Sequence, residues 1–104
     1  MSRRLEYPGA EHAGAWVELP DEWRGEHLLR RNQAVAAAAH YQDETITVAA
    51  ISLAIADGWG GIPGLEGADP AQWNFELVPI SLLRWMEAVV WLDFLGAFAV
   101  PKAP

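Results

Sequence analysis

Asp43-Glu44-Thr45-Ile46-Thr47-Val48-Ala49-Ala50-Ile51-Ser52-Leu53-Ala54-Ile55-Ala56-Asp57-Gly58 is the stretch that decides the fold. Asp43 is a natural N-cap, because its carboxylate can accept from the unpaired amides of a first helical turn. The apolar spacing that follows predicts a helix over 44–57. Ile46, Ala49, Ala50 and Leu53 form one stripe on it, and Val48, Ile51 and Ile55 form another. A helix that is apolar on two sides sits between neighbours rather than on a surface. Ser52 falls inside this apolar field, where its hydroxyl is expected to bond a backbone carbonyl one turn earlier. Gly58 suits the position just past the helix end, where a left-handed residue costs least without a Cβ.

Toward the N-terminus, a second helical tract is expected over 20–41. Asp21 and Glu22 suit the positive end of a helix dipole, and Ala34 and Ala36 to Ala39 have high helix propensity. Leu28, Val35 and Ala39 are read as its apolar face. His27 is read as a solvated residue on an exposed helix start. Residues 1–20 alternate at Leu5-Glu6-Tyr7 and again at Ala15-Trp16-Val17-Glu18-Leu19. This predicts two short strands in a hairpin, with Gly14 near the join. Such a hairpin is marginal alone, and Trp16 is the expected contact with the helices.

Toward the C-terminus, the glycines and prolines of 59–79 forbid a continuous helix. Trp59, Ile62, Leu65, Trp73 and Phe75 make this connection too apolar for a solvated linker, so it is expected to pack down as a cover. Val78 precedes a proline and should be extended. A last helix is expected from Pro79 to about Leu95. Ser81, Arg84, Glu87, Ala88 and Trp91 line one of its stripes at 100° per residue, with Leu82, Met86, Val89, Val90 and Asp93 opposite. The tail from Ala97 onward is apolar and stopped by Pro101 and Pro104. The expectation is a mainly α, three-to-four-helix compact domain over 1–104 with a short N-terminal β-hairpin.

The formal charge is -7, from 14 acidic against 7 basic residues. An acidic chain is a poor match for a phosphate backbone, so no nucleic acid is expected as a partner. The cations are uneven: Arg3, Arg4, Arg24, Arg30 and Arg31 lie early, and only Arg84 and Lys102 follow. We take the net charge as a solubility device. The absence of Cys excludes disulfides, thiolate metal sites and a Cys nucleophile. The N-terminus meets Glu6, Pro8 and Glu11 before any apolar core and does not read as a secretory signal. The run over 77–100 is interrupted by Arg84, Glu87 and Asp93, so no membrane span is expected.

No residue set carries catalysis. His40 and Glu44 would share a face only on an unbroken helix, and Asp43 caps a new one between them, so no metal is expected. His12 is read as solvated in a Gly/Ala-rich turn. The serines lack a nucleophile-elbow context. The loop glycines lack the Lys-Ser or Lys-Thr pair of a phosphate loop, and Glu66 and Asp69 would repel phosphate. Asp57 with Glu76, or Glu87 with Asp93, lie in packing-type sequence. No cofactor is expected, and the chain does not read as an enzyme.

Six tryptophans remain as the signal. Trp23, Trp59 and Trp73 stand at segment ends, where an indole packs with its N–H on a partner. Core packing is the reading for most of the set Trp59, Trp73 and Trp85. Trp91 shares a stripe with Arg84 and Glu87, so either the tail covers it through Phe98 or another chain does. Trp91, Arg84, Ala88, Phe98 and Trp73 are therefore the candidate protein-binding residues.

The order of these features is similar to that of small tail assembly chaperones of long-tailed bacteriophages from actinobacterial hosts. The resemblance rests on Trp16-Val17-Glu18-Leu19 leading into an Arg-bearing helix, on Gly58-Trp59 with Ile62-Pro63 behind it, and on Leu77-Val78-Pro79 opening a Leu-rich helix before a Pro-containing tail. The stretch Trp73-Asn74-Phe75 departs from the pattern in being richer in aromatics. The resemblance implies a non-catalytic helical protein of the host cytoplasm, absent from the mature virion. It would bind the tape-measure protein during tail morphogenesis and help recruit tail-tube protein, with self-association left open. The alternative is a small structural virion protein, such as a head–tail connector or tail-completion protein.

Overall fold

The computed structural model describes residues 2–66 and 73–99. The chain is α-rich, with a small antiparallel sheet built from its N-terminal part. Strands β1 (Arg3–Glu6) and β2 (Trp16–Leu19) pair antiparallel with Leu5 opposite Val17, as the alternation predicts. A third strand, β3 (Gly58–Gly60), adds to the other side of β2, with Val17 opposite Trp59, so the order is β1-β2-β3.

Alternation assigns the two faces of this sheet. Leu5, Val17 and Trp59 face inward with Leu19, and Val17 and Leu19 are buried. Trp16 is not the contact with the helices. It lies on the outer face, with the Arg4 guanidinium 3.9 Å from its ring centre. Arg4 also pairs with Glu18 across the strands at 3.2 Å. Gly60 stands opposite Trp16, and a Cβ there would come within 2.7 Å of the indole Nε1. Glycine in β3 thus makes room for an indole lying across the strand.

Helix α1 (Gly25–Ala38) continues as a 3-10 turn through Tyr41, and α2 (Glu44–Ile55) follows. Gln42 turns left-handed between them, at φ 56°. His40 and Glu44 therefore do not share a helix. Asp43 caps α2 as expected, its Oδ1 accepting the Ile46 amide at 2.9 Å. Ser52 is fully buried and donates to the Val48 carbonyl at 2.7 Å. Helix α2 is the central element, packed between α1 and the C-terminal helix, in keeping with its two apolar stripes. It ends earlier than expected. Ala56 is already extended (φ −65°, ψ 152°), and the Asp57 amide donates to the Glu18 carbonyl at 2.8 Å. Gly58 is consequently a strand residue paired with Glu18, not a left-handed cap.

The inward face of α1 matches the expected one only in part: Leu28 packs against the core as expected. Val35 and Ala39 are exposed, while His27 and Ala38 are buried and Arg31 and Ala34 half-buried. Alanines on this face let α1 lie close to α2.

The connection after β3 packs down where it is described. Ile62, Leu65, Phe75 and Val78 are all buried. Gly67, Asp69 and Pro70 lie outside the described residues, as does the tail from Val100. Val78 is extended, and Pro79 precedes the first helical residue. The last helix runs as α3 (Ile80–Met86), a π-helical turn over Glu87–Trp91, and α4 (Leu92–Gly96). The Leu92 amide donates to the Glu87 carbonyl, the five-residue step of a π turn.

That turn has a packing reason. Leu82, Met86, Val90 and Phe94 are all buried, at steps of four residues. In a pure α-helix each such step drifts by about 40°, so the row would leave the core within three steps. The extra residue in the π turn takes back that drift. It also rotates Trp91 away from the Arg84–Ala88 line and toward the core, where its ring lies 5.5 Å from that of Phe94. Trp91 is half-buried for this reason, not the end of an exposed stripe.

Candidate protein-binding surfaces

The outward side of the last helix is apolar. Ile80, Arg84, Ala88, Leu92 and Leu95 follow at steps of three and four residues and all are exposed. Ile80 is 74% exposed and Leu92 55%; their alignment along one side of the helix, not either residue alone, makes a patch. Fifteen residue steps at 1.5 Å make this ridge about 22 Å long. Phe98, 51% exposed, stands just beyond its end. Arg84 is the one cation on the ridge among the described residues.

A second apolar surface lies on the other side of α2. Ala34, Ala37 and Ala38 of α1 and Ala50 and Ala54 of α2 floor a groove of about 390 Å³. Tyr41, Trp59, Trp73 and Phe75 wall it. Trp59 and Trp73 meet edge to face with ring centres 4.9 Å apart. The pair also borders a neighbouring recess with Ile62, Pro63 and Leu65.

The five candidate residues therefore divide. Arg84 and Ala88 sit on the ridge, Trp91 on its inner flank and Phe98 at its end, while Trp73 belongs to the groove. Phe94 is the hub of the first set: its ring meets Trp91 at 5.5 Å, Phe98 at 5.3 Å and Trp23 at 5.2 Å. Trp23 in turn donates its indole N–H to Asp93 Oδ2 at 2.8 Å, as expected of a tryptophan at a segment end. Asp93 also pairs with Arg3 at 3.1 Å. The alanine floor was missed by sequence reasoning. Its signal is the four-residue spacing Ala34/Ala38 and Ala50/Ala54, which marks close helix approach only once the two helices are known to be neighbours.

Among the described residues no group of three or more His, Asp and Glu could hold a metal ion. His12 is half-buried, with Nε2 3.1 Å from the Ser81 hydroxyl and its ring 5.3 Å from Tyr7. His40 is exposed as expected, with Nδ1 2.9 Å from the Ala37 carbonyl. The Glu11 carboxyl is held below its ordinary range by its own backbone amide first, then by the Tyr7 hydroxyl at 2.9 Å, with His12 adding to both against a small desolvation. His27 was expected in solvent and is instead 3% exposed. No helix among the described residues is long and apolar enough to cross a membrane. Comparisons with known family models, with characterised proteins and with solved structures find no match to this chain.

Proposed function

We propose that this chain is a non-catalytic chaperone of phage tail assembly that holds helical segments of the tape-measure protein in the host cytoplasm. The observation that carries the reading is the ridge of the last helix. Its exposed Ile80, Ala88, Leu92 and Leu95 match what an amphipathic helix needs to cover its own apolar stripe. Arg84 in the middle favours a client carrying a carboxylate near its apolar face. The net charge of -7 keeps a chain with such a surface in solution. The tape-measure protein as client is what the resemblance of the sequence pattern to tail assembly chaperones suggests. The Trp59–Trp73 groove gives a second apolar surface, where tail-tube protein or another stretch of the same client would dock.

The test is capture of co-expressed tape-measure protein. Ile80→Arg with Leu92→Arg alters side chains that are mostly in water, so the melting temperature should hold while capture falls at least tenfold. Trp91→Ala should weaken capture and also cost some stability, since the ring leans on Phe94. Wild-type capture by the double variant would remove the ridge from the reading. Stoichiometric copies of the protein in purified virions would replace the chaperone with a connector or tail-completion component.

A further inference from the structure

We propose that His27 is a proton-operated latch on the first turn of α1. The chain reaches this turn by an unusual route. The N-cap is Arg24, whose side chain is not of the capping type, followed by Gly25, a weak helix former. The orphan amide of Arg24 is instead satisfied by His27 Nδ1 at 2.9 Å. His27 thus stands where a capping box places Glu or Gln.

That bond fixes the tautomer. A nitrogen that accepts an N–H carries no proton, so the ring is neutral with its proton on Nε2. Nε2 is fully buried and has no hydrogen-bond partner among the described residues. Its nearest charges are Asp57 Oδ1 at 3.9 Å and Glu26 Oε1 at 4.0 Å. Both lie just outside hydrogen-bond reach. Nε2 is closed off from solvent and already carries the ring's proton, so it offers no lone pair to a ligand.

A second proton can only go to Nδ1. Once there, the nitrogen can no longer accept the Arg24 amide, and the cap is lost. The imidazolium gains a reason to move toward Asp57. Glu26 is already engaged by Arg30 at 3.2 Å, whereas the Asp57 carboxylate is held on its other oxygen by the Ser2 hydroxyl at 2.6 Å. Asp21, Glu22 and Arg24 line the same polar recess. Arg24 pairs outward with Glu22 at 3.5 Å and leaves Asp57 to the ring. Asp93 and Arg3 lie behind Trp23 and pair with one another.

Trp23 transmits the change. Its ring meets His27 edge to face at 5.0 Å and Phe94 at 5.2 Å. Trp23, Arg24 and Gly25 also wall the recess that contains Phe94 and Phe98. Release of the first turn therefore loosens the wall behind Phe98. This inference stands on the geometry at His27 and does not need the chaperone reading.

The experiment follows ring nitrogens, the Trp23 indole N–H and backbone amide exchange in the wild-type protein by NMR, from about pH 8 to about pH 5. At the upper end His27 should be the Nε2–H tautomer. Through its titration the Arg24 amide should lose at least about fivefold in protection, the scale of one lost cap. The Trp23 indole signal should move with the same midpoint while α2 amides stay protected. His27→Gln offers an oxygen to the same amide and takes up no proton, so Arg24 should stay protected throughout. Three results would overturn the latch: an Arg24 amide protected below the His27 midpoint, a His27 that stays neutral until the whole protein unfolds, or the same loss of protection in His27→Gln. If His27→Gln does not fold, the wild-type series decides.

Discussion

Phe94→Ala is the substitution that most directly tests how the C-terminal helix is held. The Phe94 side chain is 1% exposed, at the end of the buried row Leu82, Met86, Val90. It carries edge-to-face or tilted contacts to Trp23, Trp91 and Phe98. Truncating an enclosed Phe costs about 3–5 kcal/mol, counting transfer and the cavity left behind. A chain of this size has roughly 5–15 kcal/mol in total. The variant should therefore keep only part of its stability and melt at least ~12 °C lower. Urea unfolding should show the loss at unchanged slope, which separates lost packing from a change in the unfolded chain. Phe98→Ala is the control. That ring is half in water, so its loss should cost about 1 kcal/mol or less. If Phe94→Ala costs under ~1.5 kcal/mol, or no more than Phe98→Ala, the aromatic hub is not enclosed. The π-turn account of the helix register would fall with it.

Three further outcomes follow from other elements. Asp43→Ala should lower stability by ~1 kcal/mol in urea, with Asp43→Asn close to neutral, because one capping oxygen holds the Ile46 amide; equal losses would point to charge rather than the cap. Gly61→Ala should cost about 2 kcal/mol or more, since φ is +67° and a Cβ there would press on the Gly14 backbone carbonyl; a melt within 2 °C of wild type, against the ~8 °C or more that such a loss implies, would contradict it. Tyr7→Phe should raise the Glu11 titration toward the ordinary carboxylate range. A depressed carboxyl stabilises the native state above its unfolded pKa, and that contribution fades as pH falls through the native value. The variant should thus lack that share at neutral pH, and its difference from wild type should close as the pH falls through the Glu11 titration; an unmoved Glu11 carboxyl signal by NMR would discard the Tyr7 bond.

What could be read from the sequence followed from side chains that act locally. Asp43 announces a cap by its chemistry, the two stripes of residues 44–55 announce a sandwiched helix by their period, and Val78 is extended because Pro79 follows. The hairpin was legible from alternation alone. What escaped is set by neighbours. Gly58-Trp59-Gly60 has poor strand propensity and becomes a strand only because β2 offers an edge and Trp16 needs room above Gly60. The π turn over Glu87–Trp91 has no residue that marks it; it exists to keep Val90 and Phe94 on the core side. His27 looked like a surface residue because it was placed on an exposed helix start. Its role appears only when the missing cap is asked for at the backbone.

The tryptophans suggested surplus sticky surface, and the structure relocates that surplus. All six are half-buried. Trp16 is covered by Arg4, Trp23 by His27 and Phe94, Trp59 by Trp73, Trp85 by Tyr7 and Trp91 by Phe94. Among the large apolar side chains of the described residues, those that stand in water are all aliphatic except Phe98: Leu29, Val35, Leu77, Ile80, Leu92, Leu95 and Phe98. This matters for the strength of any grip. Tight interfaces are anchored by Trp, Tyr and Arg, with Leu under-represented. A ridge of Ile, Ala and Leu around one Arg gains about 1–2 kcal/mol per covered aliphatic side chain, against several kcal/mol lost in association. Under the proposed function such a surface would hold a helix weakly at each contact and release it easily. A long client can still be covered by many copies, each exchanging on its own. That is the behaviour a temporary coat requires, and it is the opposite of what a permanent joint in a particle would select.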